Sequence, residues 1–305
     1  MPHRLVKEIE EKSMYKVLFR ITLFTLVFVA ADIGSNVWRF HASARESPDI
    51  FLTLQVNRQR EITAIPGTPL VFTVFMSGSK TDPPLRIGGS GDPWYVYLRL
   101  ESADDKKQIP FTWSLLGKPR ALSRLGSSGD LGNVELYAGD EAILDKERNL
   151  YTAELGVAPE ETAKISGGRY TIRAILHVPS GSQGKWSGRA VSNPVVVSVE
   201  EQVKETTPAD DREWSRLIES INFYLRAERF DDAYRLALQA VEQKRVNVDA
   251  RILLGDALNG LGRDEEALKS YTKALYIIAA KGKQYEPPTY LIMRMDEVKR
   301  RLEER

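Results

Sequence analysis

The sequence predicts a two-part chain, an antiparallel β-sandwich followed by an α-helical tail, behind a short N-terminal targeting segment. Three observations carry this reading. Residues 48–202 hold short β-branched and aromatic runs separated by Gly, Pro, Asp and Ser clusters. After Glu200 the composition turns to Ala, Leu, Arg and Glu at helical spacing. Ahead of both, a basic stretch precedes an apolar run that holds only two threonines. The 305 residues suit about two domains. With 42% hydrophobic and 28% charged residues, the chain has globular composition and is neither collagen-like nor wholly disordered. The net charge of +1 offers no bulk attraction for nucleic acid. The absence of cysteine excludes disulfides, thiolate metal sites and a cysteine nucleophile.

The N-terminal segment is read as an address. Arg4, Lys7, Lys12, Lys16 and Arg20 outnumber Glu8, Glu10 and Glu11. The apolar run Ile21 to Ala31 follows, covering roughly 16 Å of helix, about half a bilayer core. Two forms stay open. One is a cleaved signal peptide, with small residues at Val29-Ala30-Ala31 or Ala42-Ser43-Ala44; the other is a retained membrane anchor from about Val17 to Trp38. Residues 1–44 are assigned to this segment and a short linker. The excess of Lys and Arg before the run keeps the N-terminus cytoplasmic. The main body is then extracytoplasmic, periplasmic or at the cell surface.

Strands are expected at 50–56, 60–65, 69–76, 94–101, 109–116, 134–138, 141–144, 150–155, 169–178 and 194–200. Alternation is clearest where Tyr170, Ile172, Ala174 and Leu176 share one face, and again at Val195, Val197 and Val199. Two long loops, 77–93 and 117–133, interrupt the pattern. Trp94, Tyr95, Tyr97 and Trp113 lie at or beside strands, as core residues or as an exposed sugar-binding platform. The run Ser166-Gly167-Gly168-Arg169-Tyr170 and the closing Asn193-Pro194-Val195 resemble the last strands of immunoglobulin-like and fibronectin-type sandwiches. The resemblance implies that the Tyr170 hydroxyl ties down the preceding corner.

Residues 203–210 read as a polar linker with Pro208, ending in a helix N-cap such as Asp210. Residues 211–305 read as helices with an internal period of 34. Ala233 matches Ala267, Ala240 matches Ala274 and Arg229 matches Arg263. The second copy holds Leu254-Gly255, Leu258, Ala267, Tyr271 and Ala274. This resembles the tetratricopeptide repeat, over two units at about 214–281. The first copy departs from the pattern with Ile221 and Ala237, and Arg245 and Ala279 stand where the family has proline. After Pro287-Pro288 a capping helix carries Leu291, Met295, Val298 and Leu302, with a charged outer face.

The resemblance implies a groove lined by the first helix of each unit, holding Ile218, Asn222, Leu225, Arg226, Ile252, Asp256 and Asn259. The function expected is non-catalytic: a cell-envelope scaffold or adaptor that binds a protein or peptide partner in that groove. The alternative is a sandwich that binds carbohydrate or another surface ligand, with the helices as spacer or dimer interface. The nucleophile-elbow, zinc-protease, phosphate-loop and dinucleotide patterns are absent from the sequence. Asp145, Glu147 and Asn149 alternate like a calcium loop, but Leu150 and Gly156 break it. No enzyme activity, cofactor, metal or nucleic-acid partner is expected. The membrane is a partner if the N-terminal segment is retained.

Overall fold

The computed structural model describes residues 49–305, apart from 80–83, 90–91, 105–107, 125–132, 138–139, 146–147, 181–185, 201–208, 281 and 283–285. The signal-peptide or anchor reading therefore lies outside the described residues, as do the linker residues 203–208. Among those described, no helix is long and apolar enough to cross a membrane. Glu46–Arg305 form one compact unit.

Among the described residues thirteen strands come first: β1 (Ile50–Val56), β2 (Glu61–Ala64), β3 (Leu70–Gly78), β4 (Leu85–Gly88), β5 (Leu98–Ser102), β6 (Ser114–Leu115), β7 (Arg120–Arg124), β8 (Asn133–Tyr137), β9 (Glu141–Leu144), β10 (Arg148–Val157), β11 (Gly168–Val178), β12 (Gly188–Val191) and β13 (Val195–Val199). One short helix, α1 (Pro159–Thr162), sits between β10 and β11. Five helices follow: α2 (Ala209–Arg226), α3 (Phe230–Gln243), α4 (Val248–Gly260), α5 (Asp264–Ala280) and α6 (Thr289–Glu303). One sheet runs β1-β3-β10-β7-β8, with β6 also on β10. A second runs β12-β11-β13-β2, with β5 also on β11, and β4 pairs with β9 in a separate two-stranded sheet. All pairings are antiparallel except β13 with β2, which is parallel.

Alternation builds the core between the two larger sheets. Leu70, Phe72, Val74 and Met76 of β3 are buried, as are Ile172, Ala174 and Leu176 of β11 and Val195, Val197 and Val199 of β13. Each such aliphatic side chain removed from water contributes about 1.5–3 kcal/mol before entropy is counted. Asn193 joins the sheets at one margin. Its Oδ1 accepts from the Leu54 N–H at 3.0 Å and its Nδ2 donates to the Leu54 carbonyl at 3.1 Å, as a neighbouring strand would. The Tyr170 hydroxyl donates to the Ser166 carbonyl at 2.8 Å, closing the turn before β11.

Three expectations about the strands are corrected. Trp94–Tyr97 form a 3-10 turn and the strand begins at Leu98, because Trp94 leaves the strand path to bury its ring completely, while its backbone N–H donates to the Asp140 carbonyl at 2.9 Å. Within 109–116 only Ser114–Leu115 pair. Pro110 has no N–H to give a ladder, and Phe111 turns inward to stack on Phe72 with ring centroids 6.0 Å apart. The two long loops are not featureless: β4 lies within 77–93 and pairs with β9, and β7 lies within 117–133 and pairs with β8 and β10.

The helices form two hairpins, α2–α3 and α4–α5. Their turns, 227–229 and 261–263, fall one 34-residue period apart. The small residues work as their spacing implied: Ala233, Ala240, Ala267 and Ala274 are fully buried. A Cβ at Gly255 would overlap the Tyr271 ring, so glycine is what lets α4 and α5 approach there. Asn247 caps α4, its Oδ1 accepting from the Ala250 N–H at 2.9 Å. Helix α2 starts at Ala209, so Asp210 lies inside it and does not precede it. Helix α6 covers the end of the stack with Leu291, Met295 and Val298 buried. Its outer face is only partly polar, since Tyr290, Ile292 and Met293 in its first turns are exposed.

The hairpins dock on the β-region through α2. Phe223 is buried beside Leu116, and a Cβ at Gly156 of β10 would come within 2.6 Å of both side chains. Arg226 pairs with Glu154 of β10. The Tyr224 hydroxyl donates to Glu160 of α1, and Arg229 Nη1 donates to the same carboxylate at 2.8 Å.

Candidate partner-binding face

Six of the seven groove residues named from the sequence come in pairs one period apart: Ile218 with Ile252, Asn222 with Asp256, Leu225 with Asn259; Arg226 stands alone, opposite Gly260. Because α2 and α4 are equivalent helices of the two hairpins, each pair occupies the same side of the stack. Contacts locate that side. Asp256 accepts from the Tyr271 hydroxyl at 2.7 Å and from Arg294 of α6. Asn259 accepts from Arg301 of α6. The side carrying Asp256 and Asn259 is thus the one that Arg294 and Arg301 reach from α6, which itself packs on α5.

The seven differ in what they leave exposed. Asn222 is open to solvent, its amide donating to the Ile218 carbonyl at 2.9 Å. Ile218 and Leu225 are half-buried and pack against the apolar core of the hairpins. Ile252 is buried. Arg226 is exposed but committed to Glu154 of the β-region. Asp256 is mostly covered, and burial raises its carboxyl above the usual range although Arg294 and the Tyr271 hydroxyl oppose the shift. Burial, with Asp256 alongside, pushes the Tyr271 hydroxyl up as well.

Two residues not singled out from the sequence complete the face. Tyr290 lies under the Arg294 guanidinium, 5.3 Å from its ring centroid, so it adjoins the Arg294–Asp256 pair. Met293 follows three residues later on the same helical face and is 68% exposed. The signal was present in the sequence. Tyr290, Ile292 and Met293 fall off the Leu291, Met295, Val298 stripe, so a helix burying that stripe leaves them outside. What the sequence did not reveal is that Arg294 and Arg301 reach back to Asp256 and Asn259.

The same end of the molecule holds a buried ion-pair cluster. Asp264, at the start of α5, is 2% exposed and accepts from Arg301 at 2.7 Å and from Arg305 at 2.8 Å. The Arg301 hydrogen bond holds its carboxyl below the usual range against the opposing effect of burial. This cluster locks α6 in place.

In the β-region, Trp94 is fully buried, and Tyr95, Tyr97 and Trp113 are partly buried against the core. His177 is exposed on the face opposite Tyr170. Among the described residues no group of three or more His, Asp or Glu side chains is placed to hold a metal ion.

No protein-family model matches the chain and no curated protein sequence does. Solved structures similar to parts of it include AggA, the major subunit of aggregative adherence fimbriae type I from Escherichia coli, at 16% identity and a TM-score of 0.27, covering 52% of this chain and 100% of that one. A structure named MamA MSR-1 C2 is similar at 25% identity and a TM-score of 0.20, covering 30% of this chain and 62% of that one. A multi-domain immunophilin from Arabidopsis thaliana is similar at 12% identity and a TM-score of 0.21, covering 67% of this chain and 93% of that one. Likeness at this level transfers no property of those proteins to the chain.

Proposed function

We propose that the chain is a non-catalytic envelope scaffold that holds a protein or peptide partner on the face formed by α2, α4 and α6. In this reading the β-region is an immunoglobulin-like sandwich and the hairpins are two tetratricopeptide-type units closed by a capping helix. The observation that carries it is the exposed set Asn222, Tyr290 and Met293 on the side that α2 and α4 share and that Arg294 and Arg301 reach from α6. An exposed amide on α2 together with an exposed aromatic ring and thioether on α6 suits a peptide surface, since Tyr and Met give large contact area at modest entropic cost. The basic N-terminal stretch and its apolar run support export, with the described residues outside the cytoplasm.

The test is a cross-linked pull-down from envelope extract with the whole chain and with an Asn222→Arg, Met293→Arg double variant. Both positions are exposed, so far-ultraviolet circular dichroism is expected to be unchanged. A stoichiometric partner recovered by the native chain should fall at least about tenfold with the variant, since a charge placed in a contact leaves it unpaired. Equal recovery by both baits would move recognition elsewhere and overturn the reading.

A further inference from the structure

A cavity of about 220 Å³ opens between α3, α4 and α5, where the two hairpins meet. It lies on the opposite side of α4 from Asp256, because Leu254 and Leu258, which line it, are each two residues and about 200° from that position. Its floor is apolar: Leu238 of α3 with Leu254 and Leu258 of α4. Its rim is cationic: Arg251 of α4 with Lys269 and Lys273 of α5.

The cations outnumber the acids on that rim. Lys269 and Lys273 stand four residues apart on one helical face, where like charges repel. Neither has an ion-pair partner among the described residues. Arg251 Nε is buried without a hydrogen-bond partner, and an Arg251 Nη reaches only the Arg245 carbonyl, at 3.5 Å. The acid at the rim, Glu266, is already held by Arg263 through two hydrogen bonds of 2.7 Å. Three cations therefore surround an apolar floor, and the acid at the rim, Glu266, is hydrogen-bonded to Arg263 and lies near Lys269 alone of the three.

We propose that this cavity binds a small amphipathic anion, a monophosphate carried on an apolar body. The phosphate sits among Lys269, Lys273 and Arg251, and the apolar body lies over the leucines. A guanidinium with two mobile ammonium groups suits the charge and the several acceptor oxygens of a phosphate. The volume equals that of about seven waters, enough for a phosphate with a small ring or the start of an acyl chain. The same chemistry is offered by a soluble phosphate ester and by a lipid headgroup.

Phenyl phosphate titrated calorimetrically into the whole chain at low salt should bind saturably at one site. Inorganic phosphate and benzyl alcohol, each carrying half of the chemistry, should bind at least about tenfold more weakly. A Lys269→Ala, Lys273→Ala variant, altered only at exposed positions, should lose at least about tenfold in affinity at unchanged helical content. Arg251→Met, which keeps the packed stem, should do the same. In a parallel arm, phosphatidylcholine vesicles with and without phosphatidic acid are sedimented with each chain. A phosphatidic-acid-dependent increase that the lysine variant loses identifies a lipid headgroup as the source; saturable phenyl phosphate binding without that increase identifies a soluble ester. Binding in either arm that survives the lysine variant, or no binding in both arms, would overturn the proposal.

Discussion

Asp264 shows how one residue can hold an element. Its carboxylate is nearly inaccessible, yet it is ionised, because Arg301 and Arg305 both donate to it. Replacing it by alanine removes the acceptor that Arg301 and Arg305 share, leaving Arg301 only Asn259 and Glu297, and weakens the attachment of the last turns of α6. Both arginines can turn towards water, so the loss should be about 1–3 kcal/mol, less than for a fully buried pair. Denaturant unfolding followed at 222 nm should show that decrease for Asp264→Ala. Arg300→Ala, whose partner is the exposed Glu304, should change it by less than about 0.5 kcal/mol. Equal effects would mean that the buried cluster does not hold α6. At this scale the sequence was informative about small residues and uninformative about charges. Gly255 and the four periodic alanines were assigned correctly because helix packing sets a size limit at each position. Arg226 lies on α2 and Asp256 and Asn259 on α4, but their charged partners come from β10 and α6, at distances along the chain that no local pattern encodes.

Helix α2 is the element on which the two parts meet. One edge packs into the hairpins through Leu217 and Ile221, and the other presents Phe223 and Tyr224 to β10 and α1. An amphipathic pattern shows that α2 has apolar faces, not which element covers each. Phe223→Ala should cost about 3 kcal/mol, the loss expected for truncating a buried phenyl group. The loss falls on docking, so tryptophan fluorescence and ellipticity at 222 nm should cease to melt together in the variant, while coinciding in the native chain. Coincident transitions in Phe223→Ala would show that the contact does not couple the two parts. The strand elements repeat the lesson. Strands β3, β11 and β13 announced themselves by alternation, whereas β4 has only four residues and β7 is bounded by Arg120 and Arg124, and pairing with β9 and β10 is what makes them strands.

At the scale of the molecule, acid should separate the two parts. Burial raises the Glu160 carboxyl, but hydrogen bonds from Tyr224 and Arg229 outweigh that and hold it below its ordinary value. A carboxyl depressed in the folded state contributes stability above its unfolded value, about pH 4.3, and that stability disappears as pH falls through the folded value. Docking should therefore be intact at neutral pH and weaken below about pH 4. The fluorescence and 222 nm melting curves should coincide at pH 7 and diverge at pH 3. In Glu160→Gln they should diverge already at pH 7 and change less on acidification. Curves that diverge equally in both chains would assign the acid response to carboxyls other than Glu160.

The order of the parts, the two-residue strand alternation and the 34-residue period were all readable from the amino acids. Each depends on where a side chain points, and backbone geometry makes that a function of spacing along the chain. The joint between the parts, the reach of α6 back to α4 and the cationic cavity between the hairpins were decided in three dimensions. They bring Glu160 to Arg229, Asp256 to Arg294 and Arg251 to Lys273, pairs whose proximity follows from packing and has no spacing rule to announce it.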